Sequence, residues 1–165
     1  MENKKVFLVM GSDSDLPVVK KGLSILESFG IEYEVRVISA HRTPQRAEEF
    51  AVTAKAKGAG VIIAAAGKAA HLAGVVAAYT TLPVIGLPIK SSTMDGLDSL
   101  LSIVQMPKGI PVATVAIDGA ENAALLAAQI LGVADPEIAK KLEAFKEQMA
   151  KEVEEKDRAL QSSLK

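Results

Sequence analysis

Cysteine is absent from this chain of 165 residues, which excludes a disulfide framework, a thiol nucleophile and any cysteine-ligated metal. Tryptophan is absent too, and aromatics make up only 4%, so an aromatic platform for stacking bases is not expected. Two histidines, His41 and His71, leave too few nitrogen ligands for most zinc sites, and no metal is expected. Neither sign of charge dominates: 19 Lys+Arg stand against 20 Asp+Glu, for a formal net charge of -1. That balance argues against a nucleic-acid partner. Long hydrophobic runs are missing as well. The apolar stretch at residues 6–10 is too short for a signal peptide or a membrane span. The expectation is a soluble cytoplasmic globule with no membrane partner. Its length suits one domain, able to bury about 70% of its unfolded surface.

What is present is unevenly spread. Residues 1–57 carry 17 charged side chains, residues 58–134 carry 7, and residues 135–165 carry 15. The middle segment is too apolar to be a solvated surface, so the fold, partner subunits or both must cover it. Residues 135–165 read as one exposed or bridging helix beginning near Pro136. Apolar runs at 6–10, 33–38, 61–65, 84–87 and 112–117 read as strands, and helical patterns fill 16–29, 43–57, 69–79, 95–104 and 120–131. Strands apolar at nearly every position suit a parallel sheet covered on both faces. Their alternation with helices implies a three-layer, doubly wound α/β domain over 1–134, with 135–165 as an appended helix. Asp15 before Leu16-Pro17, and Thr43 before Pro44, read as helix starts. Gly30 and Gly132 read as helix stops.

Ligands of open α/β sheets lie beyond the carboxyl ends of the strands, and three loops there are rich in small polar residues. Gly11-Ser-Asp-Ser-Asp15 offers backbone N–H groups and the Ser12 and Ser14 hydroxyls for a phosphate, with Asp15 placed for sugar hydroxyls. The alternative is a plain turn capped by Asp15. Ser39-Ala-His-Arg-Thr-Pro44 supplies Arg42, a permanent planar cation, beside the Ser39 hydroxyl. It also supplies His41, a residue type whose charge changes near neutral pH. Here the alternative is a capping histidine and a surface ion pair. Ala66-Gly-Lys-Ala-Ala-His71 is a small-residue loop in which Gly67 permits close backbone approach. That loop reads equally as tight packing, with His71 a packing residue.

Together, Gly11-Ser-Asp-Ser-Asp15, Ser39-Ala-His-Arg-Thr-Pro44, Ala69-Ala-His-Leu72 and Asp98-Ser-Leu-Leu-Ser-Ile-Val-Gln-Met-Pro107 carry a resemblance. With Asn122-Ala-Ala-Leu-Leu-Ala-Ala-Gln-Ile130, they resemble the N5-carboxyaminoimidazole ribonucleotide mutases. These are the bacterial class I branch of the phosphoribosylaminoimidazole carboxylase catalytic-subunit family. The resemblance runs from about residue 5 to 160. It implies a flavodoxin-like fold and a homo-octamer, and the near absence of charge over 58–134 adds the expectation that the C-terminal helix packs on a neighbour. It also implies a small-molecule ribonucleotide substrate, and a carboxylate shift that uses neither metal, ATP nor another cofactor. Carried over by motif, Ser12, Asp15 and Arg42 are substrate-binding, Ser14 and Ser39 are further phosphate-side contacts, and His41 transfers protons. Gly67, Ala69, Ala70, His71 and Leu72 match the wall around the migrating carboxylate.

The third loop departs from the family pattern Ala-Gly-Ala-Gly-Gly-Ala-Ala-His-Leu-Pro-Gly by having Ala65, Lys68 and Ala73 at the second, fifth and tenth places. Two other functions fit the same fold. A carboxylase of the same superfamily would use free CO2 and the decarboxylated nucleotide, but Ala69-Ala-His-Leu72 favours the mutase branch. A phosphoacceptor receiver domain needs an aspartate at the end of the third strand, where this chain has Ala64-Ala-Ala66.

Overall fold

The computed structural model describes residues 4–92 and 94–164. Five parallel strands run in the order β2-β1-β3-β4-β5, where β1 is Lys5–Met10, β2 Tyr33–Val37, β3 Ala59–Gly67, β4 Val84–Ile89 and β5 Ala113–Thr114. Helices α1 (Leu16–Phe29) and α5 (Ala120–Gly132) cover one face of the sheet, while α2 (Pro44–Ala54), α3 (Leu72–Tyr79) and α4 (Leu97–Val104) cover the other. The reason lies in alternation along the central strands. Val6, Leu8 and Met10 of β1, with Val61, Ile63 and Ala65 of β3, join the core under α1 and α5. Phe7 and Val9, with Ile62, Ala64 and Ala66, join the core under α2 and α3. Both faces are buried, so every position must be apolar. This is the three-layer α/β fold that the strand pattern implied.

Some boundaries differ from the sequence reading, each for a physical reason. β5 was expected over 112–117 but pairs regularly only at Ala113 and Thr114, opposite Ile85 and Gly86. Two residues further along β4 stands Pro88, which has no N–H to continue a ladder. The chain still follows β4, because Val115 N–H donates to Gly86 O and Asp118 N–H to Pro88 O. Helix α3 begins at Leu72 rather than 69, because Lys68 has a positive φ and His71 N–H folds back onto Ala69 O. Gly30 does end α1, in the left-handed region at φ 70°. Gly132 does not end α5 in that way; it is the helix's last residue, and α6 presses against it. A Cβ there would lie 3.2 Å from Leu142 Cδ1.

Helix α6 (Pro136–Ser163) is 28 residues long, about 42 Å at 1.5 Å per residue. Asp135 caps it by accepting from Glu137 N–H and Ile138 N–H. Only its first turns dock, through Ile138, Leu142 and Phe145, on the α1/α5 core. Beyond them Met149, Val153 and Leu160 are exposed. Leu97, Leu101 and Val104 of α4, at helical spacing of four and three, are 41%, 45% and 46% exposed. The charge-poor middle of the chain is thus only partly covered by its own fold.

Candidate active site

Strand order reverses direction between β1 and β3, so the connections leaving these two strands diverge and open a crevice at their carboxyl ends. A cleft of about 630 Å³ lies there. It is lined by the ends of β1, β2, β3 and β4, and it gathers all three polar loops that the sequence singled out. Ser12, Ser14, Asp15, Ser39, His41, Arg42, Gly67, Ala69, His71 and Leu72 line it. Ala70 does not: it is buried in the core beneath α2 and α3. His41, Arg42, Lys68 and His71 are exposed, so within one chain the cleft is open to solvent on that side.

The first loop is a one-turn 3-10 helix, Asp13–Asp15, placed ahead of α1. The cap is therefore Ser12, whose Oγ accepts from Ser14 N–H, and not Asp15, whose side chain makes no capping bond. Ser14 Oγ lies 2.9 Å from Ser12 Oγ and 3.3 Å from Asp15 Oδ1. With one hydroxyl proton it can serve only one of them at a time. The two hydroxyls thus form a small adaptable cluster that an anion can enter.

Asp15 is only 7% exposed. Burial pushes its carboxyl above the ordinary aspartate range, and the negative charges of Asp13 and Asp118 push the same way. Hydrogen bonds from the Ser14 side chain and the Ser12 backbone partly oppose the shift. In the unfolded chain this carboxyl ionises near its usual value, so above that pH the fold carries the cost of a partly desolvated charge. Stability therefore falls as pH rises through the folded-state value. Asp15→Asn should melt higher than the native chain at pH 7, by about 2–4 °C for a gain of about 1 kcal/mol. The gain should fade as pH approaches 3.8, where the native carboxyl is itself increasingly neutral. A melting curve lower than wild type at pH 7 contradicts this account.

Residues 39–43 form a closed turn. Thr43 N–H and Thr43 Oγ1 both donate to Ser39 O, and Ser39 N–H donates back to Thr43 Oγ1 at 3.1 Å. Ser39 Oγ in turn accepts from Arg42 N–H at 3.2 Å and from Arg42 Nε at 3.4 Å. The guanidinium's terminal nitrogens have no partner among the described residues, leaving a forked donor facing the cleft. Thr43, read from the sequence only as a helix start, is what fixes this loop.

His41 does not stand alone, as a reading of the loop in isolation suggests. Its Nε2 lies 2.9 Å from His71 Nδ1, with the rings nearly perpendicular at 78°. One ring nitrogen donates and the other accepts, so the tautomers of the two imidazoles are linked. The sequence gives no sign of this contact, since 30 residues separate the pair.

The residues missed from the sequence are Ile89, Lys90 and Ser91 at the end of β4, which line the cleft's far side. In a parallel sheet the carboxyl end of the fourth strand shares an edge with the first three, and that was the available signal. Asp118 Oδ1 accepts from Lys90 N–H at 2.8 Å, and Asp98 accepts from Ser91 Oγ. Among the described residues no group of three or more His, Cys, Asp or Glu side chains is placed to hold a metal, and no helix is long and apolar enough to cross a membrane.

A family profile described as AIR carboxylase matches residues 5–152. The chain is 61% identical over 160 residues to the N5-carboxyaminoimidazole ribonucleotide mutase of Pyrococcus horikoshii, spanning 97% of this chain and 90% of that protein. It is 63% identical over 131 residues to the phosphoribosylaminoimidazole carboxylase of Ogataea methanolica, spanning 79% of this chain but 24% of that protein. The crystal structure of Treponema denticola PurE superposes with a TM-score of 0.88 at 35% identity, covering 95% of this chain and 98% of that one.

Proposed function

The chain belongs to the AIR carboxylase family, and from that premise we propose that it is an N5-carboxyaminoimidazole ribonucleotide mutase of purine biosynthesis. It moves a carboxylate from the exocyclic nitrogen to a ring carbon, giving 4-carboxy-5-aminoimidazole ribonucleotide. The observation that carries this reading is one cleft that joins serine hydroxyls and a forked guanidinium to a paired imidazole and a small-residue wall.

In the reaction the N–C bond to the carboxylate breaks, releasing CO2 and leaving the nitrogen to take up a proton. The ring carbon then attacks CO2, forms the C–C bond and gives up its own hydrogen as a proton. Proton gain and loss balance, so one group that first gives and then takes a proton serves both steps. His41 fills that role, with His71 fixing its ring. Arg42, Ser39, Ser12 and Ser14 hold the phosphate, and Asp15 accepts from ribose hydroxyls. Gly67, Ala69, His71 and Leu72 bound the space in which CO2 passes from nitrogen to carbon. Held beside its acceptor, CO2 has a high effective concentration.

The carboxylase reading is the runner-up. The Ala69-Ala-His-Leu72 motif supports the mutase, as does the greater share of this chain that matches the mutase relative, 97% against 79% for the carboxylase relative. The deciding experiment is a single turnover of nucleotide labelled in its N-carboxylate, in buffer containing unlabelled bicarbonate. The label should appear largely on the ring carbon. Product labelled from the solvent pool, or turnover of the decarboxylated nucleotide at ordinary CO2 levels, would favour the carboxylase.

The assembly proposed is a homo-octamer in the cytoplasm; the exposed apolar stripe of α4 and the uncovered length of α6 support association between copies. Light scattering should give a mass several times that of one chain. A stable monomer at micromolar concentration would count decisively against it.

A further inference from the structure

Lys68 stands immediately beyond β3 with φ at 56°. In that left-handed region a lysine bears a steric cost that glycine does not. Backbone strain at a ligand cleft points to a side chain kept there for function. Lys68 lines the cleft and is exposed, and no carboxylate among the described residues pairs with it. The neighbouring cation at the end of β4, Lys90, differs in this respect. Its ammonium is engaged by Asp95 at 3.1 Å.

Among the described residues, the cleft's two cations without a carboxylate partner are therefore Arg42, after β2, and Lys68, after β3. Strand β1 lies between those strands, so the loops that carry the two cations leave the sheet about 10 Å apart at the usual interstrand spacing. A phosphate held at the Arg42 end leaves the base of a mononucleotide reaching toward the β3 end. We propose that Lys68 is a specificity-determining residue whose ammonium takes the carboxylate at the base end of the nucleotide. The cleft then favours a ligand anionic at both ends over one anionic at the phosphate alone. This inference rests on the ribonucleotide reading given above.

The test uses the full chain, with 4-carboxy-5-aminoimidazole ribonucleotide as substrate of the reverse reaction and 5-aminoimidazole ribonucleotide as competing ligand. Lys68→Gly removes the charge and suits the backbone, Lys68→Met removes the charge and keeps the length, and Lys68→Arg keeps the charge. Both neutral variants should raise KM for the carboxylated nucleotide about tenfold, with kcat within about twofold. The inhibition constant of the decarboxylated nucleotide should stay within about twofold, and Lys68→Arg should restore the native KM. The KM difference should narrow in high salt, as for any exposed charge pair. An unchanged KM in both neutral variants, or equal weakening of both nucleotides, overturns the assignment to Lys68 while leaving the ribonucleotide reading standing. A native chain that binds neither nucleotide overturns that reading, and the Lys68 assignment with it.

Discussion

His41→Asn should lower kcat about 10³-fold, within the range that a positioned acid–base group contributes, while the melting temperature and nucleotide affinity stay near native. Asparagine is close in size and still offers a hydrogen-bond partner to His71 Nδ1, which lies 2.9 Å from the native Nε2. It cannot give and then take a proton. The ring is exposed and outside both hydrophobic cores, so its loss leaves no cavity to destabilise the fold. Steady-state kinetics, with a thermal melt as the folding control, reads the result. Retained activity within about tenfold, a change of ~1.4 kcal/mol in the barrier, would remove His41 from the proton-transfer role. His71→Asn is the informative comparison: it leaves the shuttling ring in place but loosens its orientation, so its loss should be smaller. An equal loss would assign the proton transfer to the pair.

That comparison marks where the sequence stops being informative. A strand end followed by Ser39-Ala-His-Arg-Thr-Pro44 is recognisable because parallel sheets put ligands at strand ends and because serine, histidine and arginine each have an evident use there. The partnership of His41 with His71 is a product of tertiary geometry. It depends on β1 separating β2 from β3 in the sheet, and on the turn at Lys68 to Ala69 returning the chain over the cleft. The same turn explains the misplaced start of α3. Ala69 and Ala70 are good helix formers, yet a positive φ at Lys68 and the bond from His71 N–H to Ala69 O delay the helix until Leu72.

Elsewhere the sequence was legible because burial left little choice. Val6 to Met10 and Val61 to Ala66 alternate between two cores, one on each face of the sheet, and runs this short and rich in Val and Ile suit strands of a covered sheet better than a buried helix. Pro136 marked the start of α6 because proline suits the first turn of a helix whatever that helix packs on, and the structure adds Asp135 as its cap. Gly132 was legible as the end of α5 but not in its geometry. A glycine at a helix end serves a left-handed cap or a close approach, and the choice depends on α6, whose Leu142 Cδ1 would crowd a Cβ at 3.2 Å.

Arg42→Met should lower kcat/KM by about 10²–10³-fold, chiefly through KM. A hydrogen bond to a charged group contributes about 1.5–3 kcal/mol, and a guanidinium fork can make two to one phosphate. Solvent at this exposed position reduces the sum, which sets the lower end of the range. Fold stability should change little, since among the described residues the only side-chain bond lost is that from Arg42 Nε to Ser39 Oγ at 3.4 Å. The bond from Arg42 N–H to Ser39 Oγ belongs to the backbone and survives the substitution. The loop therefore keeps its shape and Ser39 keeps its place, so the variant tests charge and fork geometry rather than loop folding. Arg42→Lys separates those two. Lysine restores the charge without the planar fork, so it should recover part of the loss, and the recovered part should shrink as salt is raised. The pattern of KM against kcat across Arg42→Met, Arg42→Lys and His41→Asn then distinguishes anchoring the phosphate from moving the proton. A KM for Arg42→Met within about threefold of native, less than the ~1.4 kcal/mol that a tenfold change represents, would place the phosphate elsewhere in the cleft.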